Sequence, residues 1–133
     1  MELPLNISAL QEFTLQNFAK RKCLSDEGTS LTFEKFWDVV GTESKEFTHQ
    51  NPKTSIVIFA ENSISTLIKF FAIWNAGGVV VPLNPKLSCS QKEKILEQIC
   101  PWRIIQSKEN LTTTLDKPLY LPLEVDLLIA TSG

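Results

Sequence analysis

Residues 74–87, Trp-Asn-Ala-Gly-Gly-Val-Val-Val-Pro-Leu-Asn-Pro-Lys-Leu, constrain this chain more than any other stretch. An apolar helix runs into Gly77, turns through Gly78 and leaves as the β-branched run Val79-Val80-Val81, with Pro82 as its expected stop. Glycine ends helices because it accepts the left-handed conformation without a Cβ clash. Valine is stiff at χ1 and favours a pleated surface. Proline removes a ladder donor. The helix, about Ile64 to Ala76, is itself preceded by the apolar run Ser55 to Ala60. A strand joined to the next strand through a helix must pair with it in parallel, because a tight hairpin cannot make that connection.

The same alternation continues. Ser88-Cys89-Ser90-Gln91 has the spacing of a capping box and opens an amphipathic helix. Ile95, Leu96 and Ile99 face inward; Lys92, Glu93 and Glu97 face outward; Pro101 closes the helix. Trp102 to Gln106 reads as a further strand, and Leu127 to Ala130 as a last buried one. Between them, residues 107–125 lack periodicity, and Pro118 and Pro122 predict an extended connection. Upstream, a capping box at Ser8 and Gln11 predicts a first helix from Ser8, followed by a strand at Lys22 to Asp26 and a turn at Glu27-Gly28. Phe33, Phe36, Trp37, Val40, Ser44 and Phe47 recur at helical spacing from about Thr32, a core stripe. Residues 1–53 are thus a helical part and 54–133 an alternating strand–helix part of one domain. The expected class is α/β, a mostly parallel sheet with helices on both faces.

Composition narrows the function by exclusion. A net charge of -2 supplies no basic stripe for nucleic acid. The longest apolar stretch, Ile64 to Val81, is broken by Lys69, Asn75 and the glycine pair, so no membrane span is expected. Met1-Glu2-Leu3-Pro4 does not open a secretory signal, and the expected location is the cytoplasm. Cys23, Cys89 and Cys100 lack a C-x-x-C pairing and read as reduced structural thiols. His49, the one histidine, lies beside the turn signal Asn51-Pro52 and reads as a loop residue, with no metal site. The chain has no P-loop, no dinucleotide fingerprint, no zinc-protease motif and no nucleophile elbow.

Four ordered segments carry a resemblance. Leu31-Thr32-Phe33-Glu34-Lys35-Phe36 is similar to an "LTYxEL" helix start, and Ala60-Glu61-Asn62-Ser63 to an "xxNSxEF" strand-to-helix turn. Ala76 to Leu87 resembles "AGAVAVPLNPRL". Leu127 to Gly133 resembles the strand that enters a phosphate loop reading T-S-G-[ST]-T-G-x-P-K. Together they resemble the front part of the adenylate-forming enzymes, the acyl-CoA synthetases and their relatives; among these, small bacterial acid–CoA ligases, fatty-acid or aryl-acid CoA ligases and peptide-synthetase adenylation domains all stay open.

The resemblance implies part of a large N-terminal adenylation domain. It implies two half-reactions: a carboxylate attacks the α-phosphate of ATP, giving an acyl-adenylate and pyrophosphate, and a thiol, usually of CoA, displaces AMP. ATP, Mg²⁺ and CoA are the implied cofactors and a small carboxylic acid the implied substrate. Thr131, Ser132 and Gly133 match the first three phosphate-loop positions, while the loop lysine, the adenine, Mg²⁺ and acyl segments and the catalytic lysine of the family have no counterpart within the chain. No residue of the chain is therefore expected to be catalytic, and the isolated fragment is expected to be inactive and to self-associate. Lys86, after Asn84-Pro85, is the candidate contact for a CoA phosphate. The competing class is a non-catalytic α/β module that binds a partner or nucleotide at its sheet end.

Overall fold

The structure is a computed structural model that describes residues 6–48, 53–106 and 111–114. Its elements, in chain order, are α1 (Ile7–Phe18), β1 (Lys22–Asp26), β2 (Thr29–Thr32), α2 (Phe33–Ser44), a 3₁₀ turn (Lys45–Phe47), β3 (Ser55–Phe59), α3 (Ile64–Asn75), β4 (Val79–Leu83), α4 (Cys89–Ile99), β5 (Arg103–Gln106) and β6 (Leu111–Thr114). The four-stranded sheet has the order β4-β3-β5-β6. β3 pairs in parallel with both β4 and β5, and β6 closes antiparallel on β5. The α/β expectation with parallel strands is met.

Helices cover both faces for a reason visible in β3. All five of its residues are buried. Alternate residues of a strand point to opposite faces. Ile56 and Ile58 pack with Val80, Ile105 and with Ala72 and Ile73 of α3. Val57 and Phe59 pack with Val81 and Leu83 and, around them, with Ile95, Leu96 and Ile99 of α4. A third cluster joins α1, α2 and α3 through Phe36, Trp37, Val40 and Ile68, with Phe71 against it. That stripe is core, as its spacing predicts. Phe36, Trp37, Phe71 and Trp74 meet edge to face, with centroid separations of 5.0–5.7 Å, the arrangement that opposed ring quadrupoles favour.

Several local expectations change. The cap of α1 is Asn6, whose side chain accepts from the Ala9 amide, so Ser8 lies inside the first turn and the Ser8–Gln11 box does not form. Thr29–Thr32 forms a strand that turns back on β1 through Gly28 at φ 80°, a hairpin of which only the first strand and the turn were expected. The α2 stripe runs on to Phe47, but the helix ends at Ser44 and the last turn is 3₁₀. Pro82 does not stop β4; it pairs with Ile58 and the strand runs to Leu83. β4 is one of the two edge strands among the described ones, where a missing N–H is tolerated. Within residues 107–125, Leu111–Thr114 is a strand rather than connection. The expected strand Leu127 to Ala130 lies outside the described residues.

Candidate functional site at the carboxyl edge of the sheet

Two loops leave the carboxyl ends of β3 and β4 and feed the helices on opposite faces. After β3, Ser63 caps α3: its hydroxyl accepts from the Thr66 amide at 3.1 Å and donates to the Thr66 hydroxyl at 3.0 Å. After β4, the Asn84 side-chain oxygen accepts from the Lys86 amide at 2.9 Å, and its carbonyl accepts from Leu87 at 3.2 Å. This side-chain turn sets the chain for the Ser88–Gln91 capping box, which forms in full. The Ala60 amide donates to the Leu83 carbonyl at 2.8 Å and ties the two loops together. Lys86 is exposed on this edge. Lys92, one turn into α4, lies 4.8 Å over the Phe59 ring, a cation–π contact at the end of β3.

The connection from α3 into β4 is as tight as the sequence requires. Gly77 has φ 87°. Its amide donates to the Trp74 carbonyl at 3.0 Å, and the Gly78 amide reaches back to Ile73 at 2.9 Å. These two bonds make a Schellman stop, which uses up the last carbonyls of α3. Gly77 and Gly78 are therefore committed to the helix end.

Thr131, Ser132 and Gly133 lie outside the described residues, as does His49. Among the described residues no three His, Cys, Asp or Glu side chains gather as a metal site. The three cysteines are free thiols, and burial pushes the Cys23 thiol up from its ordinary value. No described helix is long and apolar enough to cross a membrane.

One polar constellation escaped sequence reasoning. A pocket of about 390 Å³ between the end of α2, the first turns of α3 and β5 is lined by Glu43, Glu46, Phe47, Ser65, Lys69, Arg103 and Ile105. Lys69 Nζ stands 3.8 Å from Glu43 Oε1, beyond hydrogen-bond length. Arg103 donates to the Glu46 carbonyl at 2.9 Å and stacks over Phe47 at 5.1 Å. A larger open groove of about 930 Å³ follows α1 and α2, where Lys20–Glu34 and Lys35–Asp38 pair on exposed surface and stabilise little.

The profile of the AMP-binding enzyme family matches residues 12–129. The dapdiamide synthesis protein DdaD of Enterobacter agglomerans is 30% identical over 93 residues, covering 69% of this chain and 16% of that protein. Among solved structures, O-succinylbenzoate coenzyme A synthetase (MenE) of Bacillus subtilis, in complex with ATP and magnesium ion, is similar with a TM-score of 0.65 and 18% identity, covering 72% of this chain and 27% of that one. VinN in complex with L-aspartate is similar with a TM-score of 0.70 and 18% identity, covering 78% and 30%. An NRPS protein with adenylation and PCP domains gives 0.69 and 13%, covering 92% and 20%. The structural likenesses establish the fold, and the chain spans less than a third of the length of each of these proteins.

Proposed function

The chain belongs to the AMP-binding enzyme family, and from this premise we propose that it is the N-terminal part of an ATP-dependent acid–CoA ligase, acting in the cytoplasm. The observation that supports this reading best is the family match across residues 12–129. The finer reading is o-succinylbenzoate–CoA ligase of menaquinone synthesis. Its support is the fold likeness to the O-succinylbenzoate coenzyme A synthetase of Bacillus subtilis.

In this reading Thr131, Ser132 and Gly133 begin the loop that wraps the β- and γ-phosphates of ATP with amides and hydroxyls. ATP is to supply the adenylyl group for carboxylate activation and release pyrophosphate, with Mg²⁺ neutralising the phosphate charge. The described residues offer no cluster of their own for Mg²⁺, so its ligands belong to other segments of the complete domain. Lys86, exposed at the carboxyl edge, is to meet a CoA phosphate as a point charge. The 133-residue polypeptide by itself is to be inactive, since it carries neither the loop lysine nor the remaining phosphate-loop residues. It is also to self-associate, because α4 has no fully buried side chain and Phe70 and Trp74 of α3 are only half-buried.

The test is the reading frame after Gly133, followed by ATP–pyrophosphate exchange with the complete polypeptide. Continuation into Ser/Thr-Thr-Gly-x-Pro-Lys and exchange stimulated by o-succinylbenzoate supports the proposal. Exchange stimulated only by other acids removes the finer reading. An open frame without the loop, and no exchange with any carboxylic acid, removes the ligase reading. Acid-dependent exchange by the 133-residue chain alone overturns its inactivity. Sedimentation giving a concentration-independent monomer overturns its self-association.

A further inference from the structure

β4 is buried in a way that its place in the sheet does not explain. It lies at one edge of the order β4-β3-β5-β6, yet Val79, Val80 and Val81 are each 0% exposed. α3 and α4 cover the two faces of the sheet, which shields side chains but leaves the backbone of an edge strand open. The Val79 amide donates to the Thr54 carbonyl at 3.1 Å, and the Leu83 carbonyl accepts from the Ala60 amide at 2.8 Å. Backbone groups alternate sides along a strand. In this parallel register Val79, Val81 and Leu83 turn theirs to β3, while Val80 and Pro82 turn theirs outward. Among the described strands none lies beyond β4 to pair with the Val80 N–H and C=O. Backbone groups closed off from water are nearly always paired. The outer edge of β4 is therefore a docking edge for extended chain.

The cover comes from the same chain, because Val80 is closed off within a single molecule. A strand set between the α3 and α4 layers needs apolar side chains on both faces. Leu127-Leu128-Ile129-Ala130 has four in a row. By contrast, residues 49–52 and 107–110 are polar, residues 1–5 carry Glu2 and Pro4, and residues 115–126 carry Pro118 and Pro122. Direction follows from β6. Thr114 pairs with Arg103, the first residue of β5, so β6 runs back to the amino edge of the sheet. A connection that stays at that edge hands on a strand parallel to β4. Crossing from β6 to the far side of β4 spans four strand spacings, about 19 Å. Residues 115–126 reach about 40 Å when extended.

We propose that residues 127–130 add to the sheet as a parallel strand on the outer edge of β4, bonded to the Val80 N–H and C=O. Pro82 has no N–H to offer, so the added ladder ends there. Thr131 then leaves the sheet at its carboxyl edge, beside the turn at Asn84 and Lys86. That edge is where open α/β sheets bind ligands. Strand addition does not depend on the ligase reading. Phosphate binding by Thr131, Ser132 and Gly133 so placed does rest on it, with Lys86 exposed on the same edge.

The test is amide hydrogen exchange and NOE spectroscopy on the 133-residue chain. The Val80 amide is expected to exchange about a hundredfold or more slowly than an unprotected amide, as a core ladder bond requires. Amide–Hα contacts should link Val80 to residues 127–130 in the parallel pattern. A sample mixing labelled and unlabelled chain should show that they arise within one molecule. Leu128→Pro or Ile129→Pro, whichever has its N–H toward β4, should abolish the protection of Val80 and leave that of Val57. An unprotected Val80 amide, contacts to any other segment or to a second copy, or the close Hα–Hα pairs of antiparallel strands overturns the proposal. Should both proline variants fail to fold, the contacts in the unaltered chain decide alone. Absence of ATP–pyrophosphate exchange in the complete polypeptide leaves these contacts untouched, so the two readings fail separately.

Discussion

The indole Nε1 of Trp37 donates to the Thr14 hydroxyl at 2.8 Å across 23 residues of sequence, inside the α1–α2 interface. Thr14 is 7% exposed and Trp37 4%. The hydroxyl in turn donates to the Leu10 or Gln11 carbonyl of its own helix, at 2.9 and 3.2 Å. One side chain therefore satisfies a buried indole donor and anchors α1 to the core stripe. Thr14→Val keeps the shape and removes the acceptor. It should lower stability by about 1–3 kcal/mol, the cost of a buried unpaired donor. Thr14→Ser keeps the oxygen and should lose less. Urea melts of both variants check this; a valine variant as stable as the parent shows that the indole finds another partner.

Gly77 should be the least replaceable of the described glycines. At φ 87° an added Cβ meets the neighbouring backbone, and the amide bonds of Gly77 and Gly78 to Trp74 and Ile73 hold the conformation in place. Gly77→Ala should cost on the order of 1 kcal/mol or more. The contrast is Gly41, which lies inside α2 with nothing within 4 Å of the point an added Cβ would occupy. Gly41→Ala should stabilise the helix by roughly 0.5–1 kcal/mol. A neutral Gly77→Ala in the same melts removes the strain argument.

Much of this frame was legible because its signals are local. Ser63, Ser88 and Gly77 each announce a helix end within four residues, and the structure places each where the spacing puts it. The misses have physical causes. Asn6 and Ser8 are both good caps, and sequence alone does not rank a cap against one two residues further on. Pro82 ends a central strand but not an outer one, and strand order is a tertiary fact. The β-branched run of β6 is short, and its pairing with β5 is what makes it a strand. The pocket was invisible for the same reason: Glu43, Lys69 and Arg103 come from α2, α3 and β5 and share no spacing. The phosphate-loop residues Thr131 to Gly133 were reached through resemblance alone.

Cys100 is the one described non-glycine residue with positive φ, 46°, where it caps α4 ahead of Pro101. A side chain in the left-handed region costs about 1–2 kcal/mol that glycine avoids. Against this, the Cys100 thiol contacts the Glu97 carbonyl at 3.1 Å, a weak bond. Strain outweighs the contact, and Cys100→Gly should raise stability by about 0.5–1 kcal/mol once the freer unfolded chain is allowed for. A higher urea midpoint at unchanged slope checks it. A lower midpoint means that the thiol contact, or packing against the buried Pro101, outweighs the strain.

The three thiols should separate in reactivity. The thiolate is the nucleophile, so both exposure and ionisation set the rate of alkylation. Cys89 is exposed at the start of α4, whereas Cys23 and Cys100 are half-buried. Cys23 sits against the α1–α2–α3 cluster, and desolvation raises its pKa above the ordinary thiol value of 9.0. Folding thus holds Cys23 in its neutral form. Below the pKa of the unfolded thiol this has no effect on stability; as pH rises from there toward the folded-state value, the unfolded chain gains by ionising and stability falls. Short pulses of iodoacetamide near neutral pH, read by mass spectrometry, should modify Cys89 first and Cys23 last. Raising the pH should bring Cys23 into reaction later than an unburied thiol. Equal rates at Cys23 and Cys89 in the folded chain mean that the β1 edge opens faster than the reagent reacts, and that the burial of Cys23 does not protect it.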